Sequence, residues 1–478
     1  MIIPDDLMVG VSGVRGRVGE GLTPEVVARF AAAFGAYLLE TSGASRPQVV
    51  LGRDSRLSGP MLVQAVKAGL QSVGCDVIDV GLVATPTTLL AVRHHRAAGG
   101  IVVTASHNPA EWNALKFASS AGMFLDAEEA PAMRAFVADR AIPRARWDQL
   151  GVVSTDAHAV ARHLNAVLRV PFLELEALRA RRFRVVLDCV RGAGGTILPR
   201  LLEALGCEVV GLNLEPDGRF PRAPEPVAEN LGELEAAVRE AGADVGFATD
   251  PDADRLSLVS NAGRAIGEDF TLALAAQLVL RHRPGPVVTN LSTSRVLEDV
   301  ANAAGVPLWR TPVGEINVAR AMERTGAVVG GEGNGGVILP DVHLTRDAAV
   351  AVALVLQLLL ERGKSVEELV AEQTPYTIVK DKLPRDAGSL DEAYATLQQG
   401  LGAPLSDRQD GLRLDWPEER RWLHLRASGT EPILRIIAEA PSPEAAWALV
   451  ARAREALGVA RPTVLGLTAA APKPRARH

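Results

Sequence analysis

The chain has 478 residues, a length typical of about three domains. Its formal net charge of −6 is small for this length and argues against a general nucleic-acid or polyanion binder. The first residues lack a basic segment followed by a long apolar one, and the longest apolar stretch, residues 348–360, is too short to span a bilayer. Cys75, Cys189 and Cys207 show no C-x-x-C spacing, which predicts reduced thiols. We therefore expect a cytoplasmic protein that binds neither nucleic acid nor membrane.

Three parts of the chain repeat the order strand, amphipathic helix, glycine, strand. The first strands of these units are VVLGRDS (residues 49–55), RVVLDCV (184–190) and PVVTNLS (286–292). Each helix that follows ends at a glycine, the residue that adopts the left-handed C-cap most easily. A strand, a crossover helix and a second strand form a βαβ unit, so the repeat predicts parallel sheets.

Capping residues mark several helix starts. Thr23 precedes Pro24, and Ser365 and Glu368 have the spacing of a capping box. After residue 370 the pattern changes to antiparallel strands, followed by a helix from Ser442 to about Leu457. The predicted strands are TIVKDKL, LRLDW, RWLHLRAS and PILRIIAEA.

These patterns predict three similar α/β domains with mixed or parallel sheets and a smaller C-terminal α+β domain. We place the α/β domains at residues 1–155, 156–257 and 258–370, and the α+β domain at residues 371–470. Residues 471–478 are rich in proline and arginine, which predicts a disordered tail.

The first motif with chemical potential is TASHNP, residues 104–109. It follows the apolar run GGIVV, so Ser106 lies where a strand ends, which is the position at which α/β sheets bind ligands. The chain has no G-x-S-x-G sequence, and this argues against an α/β-hydrolase. Serine, asparagine and proline are also common in turns, so a plain turn remains the alternative.

The second motif is DPDADR, residues 250–255, between two strand-like runs. Asp250, Asp252 and Asp254 would repel one another unless a cation neutralised them, and oxygen ligands suit Mg²⁺. An EF-hand needs glycine and glutamate where Arg255 and Asn261 stand. A phosphatase-type D-x-D-x-T sequence fails at Asp254, and a solvated acidic hairpin remains the alternative.

The third motif is RASGTEP, residues 426–432, followed by Arg435. Successive amides in such a turn can form an anion-binding nest, and two arginines can grip a phosphate. An ordinary turn between strands with an exposed arginine is the alternative. The side chains and amides predicted to bind phosphate are those of Arg426, Ser428, Gly429, Thr430 and Arg435.

The fourth motif is GGEGNGG, residues 330–336. Its glycines would let the backbone approach a ligand closely. Glu332 and Asn334 are the side chains there that can hydrogen-bond sugar hydroxyls. A flexible hinge is the alternative.

Together, TASHNP, DPDADR, GEGNGG and RASGTEP resemble the alpha-D-phosphohexomutase family, in the same order and one per predicted domain. The resemblance covers essentially the whole chain. It implies four domains around a central cleft, a phosphoserine at Ser106, and one Mg²⁺ per chain. The implied ligands of that ion are a phosphoserine oxygen and the carboxylates of Asp250, Asp252 and Asp254.

The resemblance also implies roles for other residues. Arg15, in the segment SGVRG, would face the active centre, and Lys116 would be the general acid/base. His107 would orient the serine phosphate, and Arg255 would bind the substrate. Residues 52–58 are similar to the first domain's structural signature, and TPVG, residues 311–314, is similar to the loop that reads sugar orientation. The implied reactants are a small phosphosugar and a sugar 1,6-bisphosphate activator, and the implied assembly is a monomer or a homodimer.

Two departures from the family concern the substrate. Ala114 stands where N-G-x-K has glycine, and GEGNGG lacks the histidine of G-E-x-S-G-H. We expect interconversion of glucosamine 6-phosphate and glucosamine 1-phosphate, with mannose and glucose phosphates as the alternatives. More remote alternatives are a metal-dependent sugar phosphatase and a non-catalytic sugar-phosphate sensor.

Overall fold

The structure is a computed structural model that describes residues 7–11, 13–138, 141–384, 389–427 and 433–459. The chain divides into an N-terminal unit, Met1–Pro375, and a C-terminal unit, Tyr376–His478. Within the described residues the strands form four sheets, and no helix is long and apolar enough to cross a membrane. The predicted tail, residues 471–478, lies outside the described residues.

The first sheet has the strand order β1-β2-β6-β5-β3-β4-β7. Strands β3, β4, β5 and β7 pair in parallel, while β6 pairs antiparallel with β5 and β2. Thr23 caps α1 as predicted, because its hydroxyl accepts a hydrogen bond from the amide of Val26. The elements are β1 (Met8–Gly10), β2 (Gly13–Arg17), α1 (Pro24–Thr41), β3 (Gln48–Arg53), α2 (Gly59–Gln71), β4 (Asp76–Leu82), α3 (Thr85–His95), β5 (Gly99–Val103), β6 (Trp112–Ser119), α4 (Glu129–Ala138) and β7 (Val153–Thr155).

The second sheet has the order β11-β10-β8-β9. Its antiparallel strand β11 extends past the limit predicted for this domain at residue 257. The elements are α5 (Ala159–Leu168), α6 (Leu175–Arg181), β8 (Arg184–Asp188), α7 (Leu198–Ala204), β9 (Glu208–Leu212), α8 (Gly232–Ala241), β10 (Val245–Thr249) and β11 (Leu256–Ser260), with short 3₁₀ turns at Ala193–Thr196 and Ala228–Asn230.

The third sheet has the order β13-β12-β14-β15. The capping box of Ser365 and Glu368 is present at the start of α13. The elements are α9 (Asp269–His282), β12 (Val287–Asn290), α10 (Val296–Ala303), β13 (Leu308–Thr311), α11 (Glu315–Thr325), β14 (Val329–Glu332), β15 (Gly336–Ile338), α12 (Ala348–Arg362) and α13 (Val366–Ala371).

The same four-strand arrangement recurs in all three sheets of the N-terminal unit. In each, the first strand of the βαβ unit lies inside, the second strand lies beside it, and a third parallel strand lies on its other side. A hairpin then leads from the third strand to an antiparallel fourth strand. This repetition confirms the prediction of three similar α/β domains.

Three of the four motifs occupy equivalent hairpins. TASHNP follows β5, DPDADR follows β10, and the GNGG sequence follows β14. Each motif therefore begins at the carboxyl end of a parallel strand, the end at which open α/β sheets bind ligands.

The C-terminal unit is an antiparallel sheet with two helices, in the order β16-β20-β19-β18-β17. The four predicted strands and the final helix are confirmed, whereas α14 and β17 were not predicted. Ser442 accepts a hydrogen bond from Ala445 at the start of α15. The elements are β16 (Thr377–Pro384), α14 (Leu390–Leu401), β17 (Leu405–Asp407), β18 (Leu412–Trp416), β19 (Arg421–Ala427), β20 (Ile433–Ala440) and α15 (Pro443–Ala456).

Candidate active site

Ser106 lies in the hairpin between β5 and β6, here called the serine loop (residues 104–109). Its φ of +49° is a left-handed conformation that is unfavourable for a residue with a side chain. The hydroxyl of Thr104 accepts a hydrogen bond from the Ser106 amide at 2.9 Å and supports this conformation. As a result Ser106 Oγ donates to Asp250 Oδ2 at 2.7 Å, across the boundary between the first and second sheets.

Arg56 holds the serine loop in place. Its side chain is fully buried and forms an ion pair with Asp54, with Nε 3.1 Å from Oδ2. The remaining guanidinium N–H groups donate to four backbone carbonyls, so one side chain satisfies several carbonyls of the loop. Three belong to the loop, those of Ser106, Asn108 and Pro109 at 2.5, 2.6 and 2.6 Å, and the fourth is that of Trp112 at the start of β6 at 2.9 Å.

The hairpin between β10 and β11, here called the cation loop (residues 250–255), buries three carboxylates completely. The protein holds one oxygen each of Asp252 and Asp254 and both oxygens of Asp250, whose Oδ1 accepts from the Arg255 amide at 3.3 Å. Asp250 Oδ2 accepts from Ser106, and Asp254 Oδ2 accepts from an Arg346 NH2 at 2.5 Å. Asp252 Oδ2 accepts from Lys116 Nζ at 3.0 Å and from the Thr85 hydroxyl at 2.8 Å. Residues of the first and third α/β domains therefore orient the cation loop of the second.

The remaining oxygens of the cation loop fit a divalent metal ion. Asp252 Oδ1 and Asp254 Oδ1 are buried and have no hydrogen-bond partner within the described part of the chain. Arg255 Nε lies 3.8 Å from Asp254 Oδ1, beyond hydrogen-bond distance. One oxygen from each aspartate lies within 4.8 Å of the others. An all-oxygen set of this kind suits Mg²⁺, and a bound cation would satisfy the unpaired oxygens.

The pKa shifts of the aspartates in the cation loop also favour a bound cation. Burial raises the pKa of Asp250 well above its usual value, and the charges of Asp252 and Asp254 raise it further. Burial also opposes the charge on Asp252, but the Lys116 ammonium and hydrogen bonds from Lys116 and Thr85 bring its pKa below the usual range. Three carboxylates this close are therefore costly to ionise together unless a cation is shared among them.

Three cationic or basic side chains, those of His107, Arg15 and Arg255, contact the serine loop or act on His107 through their charge. His107 Nδ1 lies 3.5 Å from Ser106 Oγ, and Arg15 donates to Asn108 Oδ1 of the serine loop at 3.2 Å. The charge of Arg255, burial and the charge of Arg15 lower the pKa of His107 well below its usual value. A positive local potential of this kind suits a phosphate dianion carried at Ser106.

The hairpin between β14 and β15, here called the glycine loop (residues 330–336), places Glu332 in a buried position. Glu332 Oε1 accepts from Asn290 Nδ2 at 2.8 Å and from the Gly314 amide at 2.9 Å. Its Oε2 accepts from Arg346 at 2.7 Å and from Asn334 Nδ2 at 3.5 Å. Both oxygens of Glu332 thus connect protein segments, and contact of Glu332 and Asn334 with a sugar stays a prediction.

Packing within the protein explains two glycines of this loop. A Cβ at Gly333 would lie 2.1 Å from Asp269 Oδ1, and one at Gly336 would lie 2.2 Å from the Arg346 Cδ. Any larger residue would displace these neighbours, so the glycines are needed for the protein's own contacts as well as for ligand access.

In the C-terminal unit Arg426 and Arg435 are directly opposite each other on β19 and β20. Like charges in opposite positions of an antiparallel pair are unfavourable, and an anion between them would relieve the repulsion. Arg426 Nε also lies 3.2 Å from Asp410 Oδ2. Ser428, Gly429 and Thr430 lie outside the described residues, so their predicted role in an anion nest stays a prediction.

Sequence reasoning missed three residues that contact the site: Arg56, Thr85 and Arg346. Arg56 lies in residues 52–58, whose similarity to the family's structural signature implies no contact with the site, and Thr85 opens α3 without a distinguishing pattern. The available signal for Arg346 was its position next to Asp347, whose side chain caps α12. Their roles depend on contacts between domains, which a local pattern does not encode.

Comparisons with known proteins cover nearly the whole chain. The family models that match are phosphoglucomutase/phosphomannomutase alpha/beta/alpha domains I, II and III and the C-terminal domain, at residues 6–141, 161–263, 267–376 and 399–456. A phosphoglucomutase/phosphomannomutase of Thermococcus kodakarensis is 41% identical over 92% of this chain and 96% of its own. A protein of Methanopyrus kandleri named probable phosphoglucosamine mutase is 38% identical over 91% and 94%. The crystal structure of a Burkholderia thailandensis phosphoglucomutase/phosphomannomutase family protein is 28% identical, with a TM-score of 0.82 over 94% of this chain and 96% of that one.

Proposed function

Because the chain belongs to the alpha-D-phosphohexomutase family, whose members are isomerases that transfer phosphate within one sugar, we propose that it interconverts hexose 6-phosphates and hexose 1-phosphates through a phosphoserine at Ser106. The observation that carries the proposal is the contact of Ser106 Oγ with Asp250 Oδ2 at 2.7 Å. Beside this contact, buried oxygens of Asp252 and Asp254 have no hydrogen-bond partner among the described residues. A phosphoryl carrier and a cation site are thereby adjacent.

In the proposed first half-reaction a free hydroxyl of the sugar phosphate attacks the phosphorus of phosphoserine 106. The bond between phosphorus and Ser106 Oγ breaks, a bond to the sugar oxygen forms, and the product is a sugar 1,6-bisphosphate. When bound by Asp250, Asp252, Asp254 and the serine phosphate, Mg²⁺ would offset the negative charge on the transferred group. The second half-reaction runs the same steps in reverse with the other phosphate of the bisphosphate.

Protein side chains must move the proton of the attacking hydroxyl and stabilise the phosphate on Ser106. We assign acid/base exchange to Lys116: as a neutral amine it takes the proton of the attacking hydroxyl, and the ammonium so formed gives that proton to Ser106 Oγ as the oxygen leaves phosphorus. The hydrogen bond of Lys116 Nζ to Asp252 Oδ2 at 3.0 Å holds the amine near the reacting serine. Arg15, His107 and Arg255 would stabilise the phosphate on Ser106, and His107 would orient it.

The second phosphate of the bisphosphate needs a docking site so that either end can face Ser106. We assign this role to Arg426, Arg435 and the segment 428–430. Arg426→Ala should raise KM for a hexose 1-phosphate about 10–100-fold, the effect of losing a charge-assisted hydrogen bond of about 1.5–3 kcal/mol. Arg421→Ala, on the same strand and paired with Glu419, is the matched control and should leave KM unchanged. Equal KM values in both variants would contradict the assignment.

Glucosamine 6-phosphate is the substrate we propose first. The glycine loop, GEGNGG, lacks the histidine of the G-E-x-S-G-H sequence, and the M. kandleri relative is named probable phosphoglucosamine mutase. Mannose and glucose phosphates are the second candidates, because the T. kodakarensis relative is named a phosphoglucomutase/phosphomannomutase. One Mg²⁺ per chain, a cytoplasmic location and a monomeric or homodimeric state stay predictions.

The deciding experiment assays the purified full-length protein with Mg²⁺ and trace sugar 1,6-bisphosphate. The 1-phosphates of glucosamine, glucose and mannose are supplied in parallel, and 6-phosphate products and inorganic phosphate are measured separately. We expect isomerisation without net phosphate release, and a mass increase of one phosphoryl group on the peptide that contains Ser106. Phosphate release without isomerisation would support a phosphatase instead. Binding without turnover of any sugar would support a sensor.

A further inference from the structure

Arg346 occupies a buried position at which three loops meet. It lies in the connection between β15 and α12 and is only 6% exposed. Its NH2 donates to Asp254 Oδ2 in the cation loop at 2.5 Å, and its NH1 donates to Glu332 Oε2 in the glycine loop at 2.7 Å. Its Nε lies 3.3 Å from the Oε2 of Glu315, at the end of the TPVG segment.

The surroundings of Arg346 are built for this side chain. Glu315 Oε1 accepts from the Arg346 amide at 3.0 Å and from the hydroxyl of Thr345, which fixes the backbone from which the side chain extends. Gly336 leaves room for the stem, since a Cβ there would lie 2.2 Å from the Arg346 Cδ. The guanidinium is thus held by its backbone, its stem and its three anionic partners.

The planar fork of arginine matters at this position. Two N–H groups diverge to two carboxylates from different hairpins, and a lysine ammonium on a flexible stem would not hold both in a fixed geometry. Arg346 binds Asp254 through Oδ2, and the other oxygen, Oδ1, is one of those without a hydrogen-bond partner within the described residues. The same residue fixes Glu332, whose other oxygen binds the amide of Gly314.

We infer that Arg346 is a positioning residue that joins the cation loop to the two loops predicted to contact the sugar. It sets the orientation of Asp254 for a divalent cation and, through Glu332 and Glu315, the spacing of the glycine loop and the TPVG segment. This inference rests on the cation site of the proposed function. Arg346 is given no contact with substrate, since its NH1 and NH2 groups donate to Glu332, Asn334 and Asp254.

The test measures binding of Mn²⁺, a paramagnetic substitute for Mg²⁺, to the full-length protein without sugar, by electron paramagnetic resonance of the free ion. Arg346→Met should weaken Mn²⁺ binding about 10–100-fold, the usual effect of removing a group that orients a metal ligand. It should also raise KM for the hexose phosphate more than about tenfold. Arg346→Lys keeps the positive charge but lacks the planar guanidinium. On a logarithmic scale it should restore less than half of the lost Mn²⁺ affinity and reverse less than half of the rise in KM.

Arg413→Met is the matched control. Arg413 is also a buried arginine, 3% exposed and paired with Asp415, but it lies in β18 of the C-terminal unit. We expect it to lower thermal stability and leave Mn²⁺ affinity unchanged. If Arg346→Met does not fold, the Mn²⁺ titration and the KM measurement are made on Arg346→Lys and Arg346→Gln instead.

Two results would overturn the inference. One is a folded Arg346→Met variant that binds Mn²⁺ within twofold of wild type, and the other is full recovery by Arg346→Lys, which would reduce the role to charge alone. Failure of the proposed function gives different results. In that case wild type binds no Mn²⁺, or binds it and isomerises no sugar phosphate.

Discussion

Two clusters of ionisable side chains are buried in the N-terminal unit, and they differ in how their polar atoms are satisfied. The cation loop presents Asp250, Asp252 and Asp254. The second group, here called the histidine cluster, consists of His163, His343 and Asp347. Each cluster brings one potential metal-ligand atom per residue within 4.8 Å of the others, so proximity alone does not distinguish them.

Hydrogen bonds satisfy most of the histidine cluster. Asp347 Oδ2 accepts from His163 Nε2 at 2.6 Å and from His343 Nε2 at 2.8 Å. The other ring nitrogen of His163 pairs with the Thr87 hydroxyl at 2.8 Å. Asp347 Oδ1 caps α12 through the amides of Ala349 and Val350. Ligands of a tetrahedral metal are about 3.3 Å apart, given metal–nitrogen bonds of about 2.0–2.1 Å, so the shorter separations indicate shared protons.

The two clusters differ in their carboxylate oxygens, and we take buried carboxylate oxygens without a partner, rather than a concentration of acidic or imidazole groups, as the mark of the candidate cation site. In the cation loop two buried carboxylate oxygens have no hydrogen-bond partner within the described ranges. In the histidine cluster both oxygens of Asp347 accept hydrogen bonds, and the atom without a partner among the described residues is the ring nitrogen Nδ1 of His343. The histidine cluster instead connects α3, α5 and α12, which belong to different α/β domains, and we interpret it as structural.

The largest expected effect is that of Ser106→Ala, which removes the proposed phosphoryl carrier. Turnover should fall at least about 10³-fold, as expected when a nucleophile is lost. The alanine methyl keeps the volume of the serine closely, so the thermal midpoint should stay within a few degrees of wild type. Mn²⁺ binding should weaken only modestly, because three aspartates remain. Mutase activity near that of wild type would exclude Ser106 from the proposed role.

Asp254→Asn removes one negative charge from the cation loop. It tests whether this loop, rather than the histidine cluster, binds the cation. We expect Mn²⁺ affinity to fall at least about 100-fold, more than for a residue that only orients a ligand. The measurement is the same resonance titration without sugar. An affinity unchanged by Asp254→Asn would show that the cation binds elsewhere and would remove the distinction between the two clusters.

His163→Gln is the corresponding change in the histidine cluster. Loss of its buried hydrogen bonds to Asp347 and Thr87 should lower the free energy of unfolding by about 1–3 kcal/mol. The effect should appear as a lower urea midpoint, with turnover and Mn²⁺ affinity within about twofold of wild type. Loss of Mn²⁺ affinity in this variant, with the fold intact, would mean that the histidine cluster itself binds the metal.

Much of the fold is encoded locally. The βαβ units were predictable because buried strands, amphipathic helices and C-capping glycines each follow from short-range physics. The helix α14 and the short edge strand β17 were missed. The segment of α14 has few large apolar residues, and only Tyr394, Leu397 and Leu401 of this helix are buried.

The site was predictable only in part. Ser106 and the three aspartates stand out because their residue types are unusual at the carboxyl ends of strands, and the family resemblance assigns them roles. Arg56 and Arg346 could not be selected in this way, because the sequence contains many arginines and only the folded structure shows which are buried among carboxylates and carbonyls. The same is true of Gly336, whose small size is explained by the stem of Arg346.

The smallest predicted effect concerns pH and the histidine cluster. Burial lowers the pKa of His343, although Asp347 partly opposes the shift. In the unfolded chain the pKa is about 6.5, so unfolding takes up a proton below that pH. The stability associated with a neutral His343 is therefore fully present above pH of about 6.5 and is lost as the pH falls toward the lower folded value.

His343→Gln isolates this contribution. Between pH values of about 6.5 and 5.5, the free energy of unfolding of wild type should fall by up to about 1 kcal/mol more than that of the variant. Urea unfolding at matched ionic strength measures the difference, and other titrating groups cancel because both proteins contain them. Equal pH slopes would mean that the buried imidazole titrates alike in the folded and unfolded chains. The shared-proton interpretation of the histidine cluster would then lose its thermodynamic support.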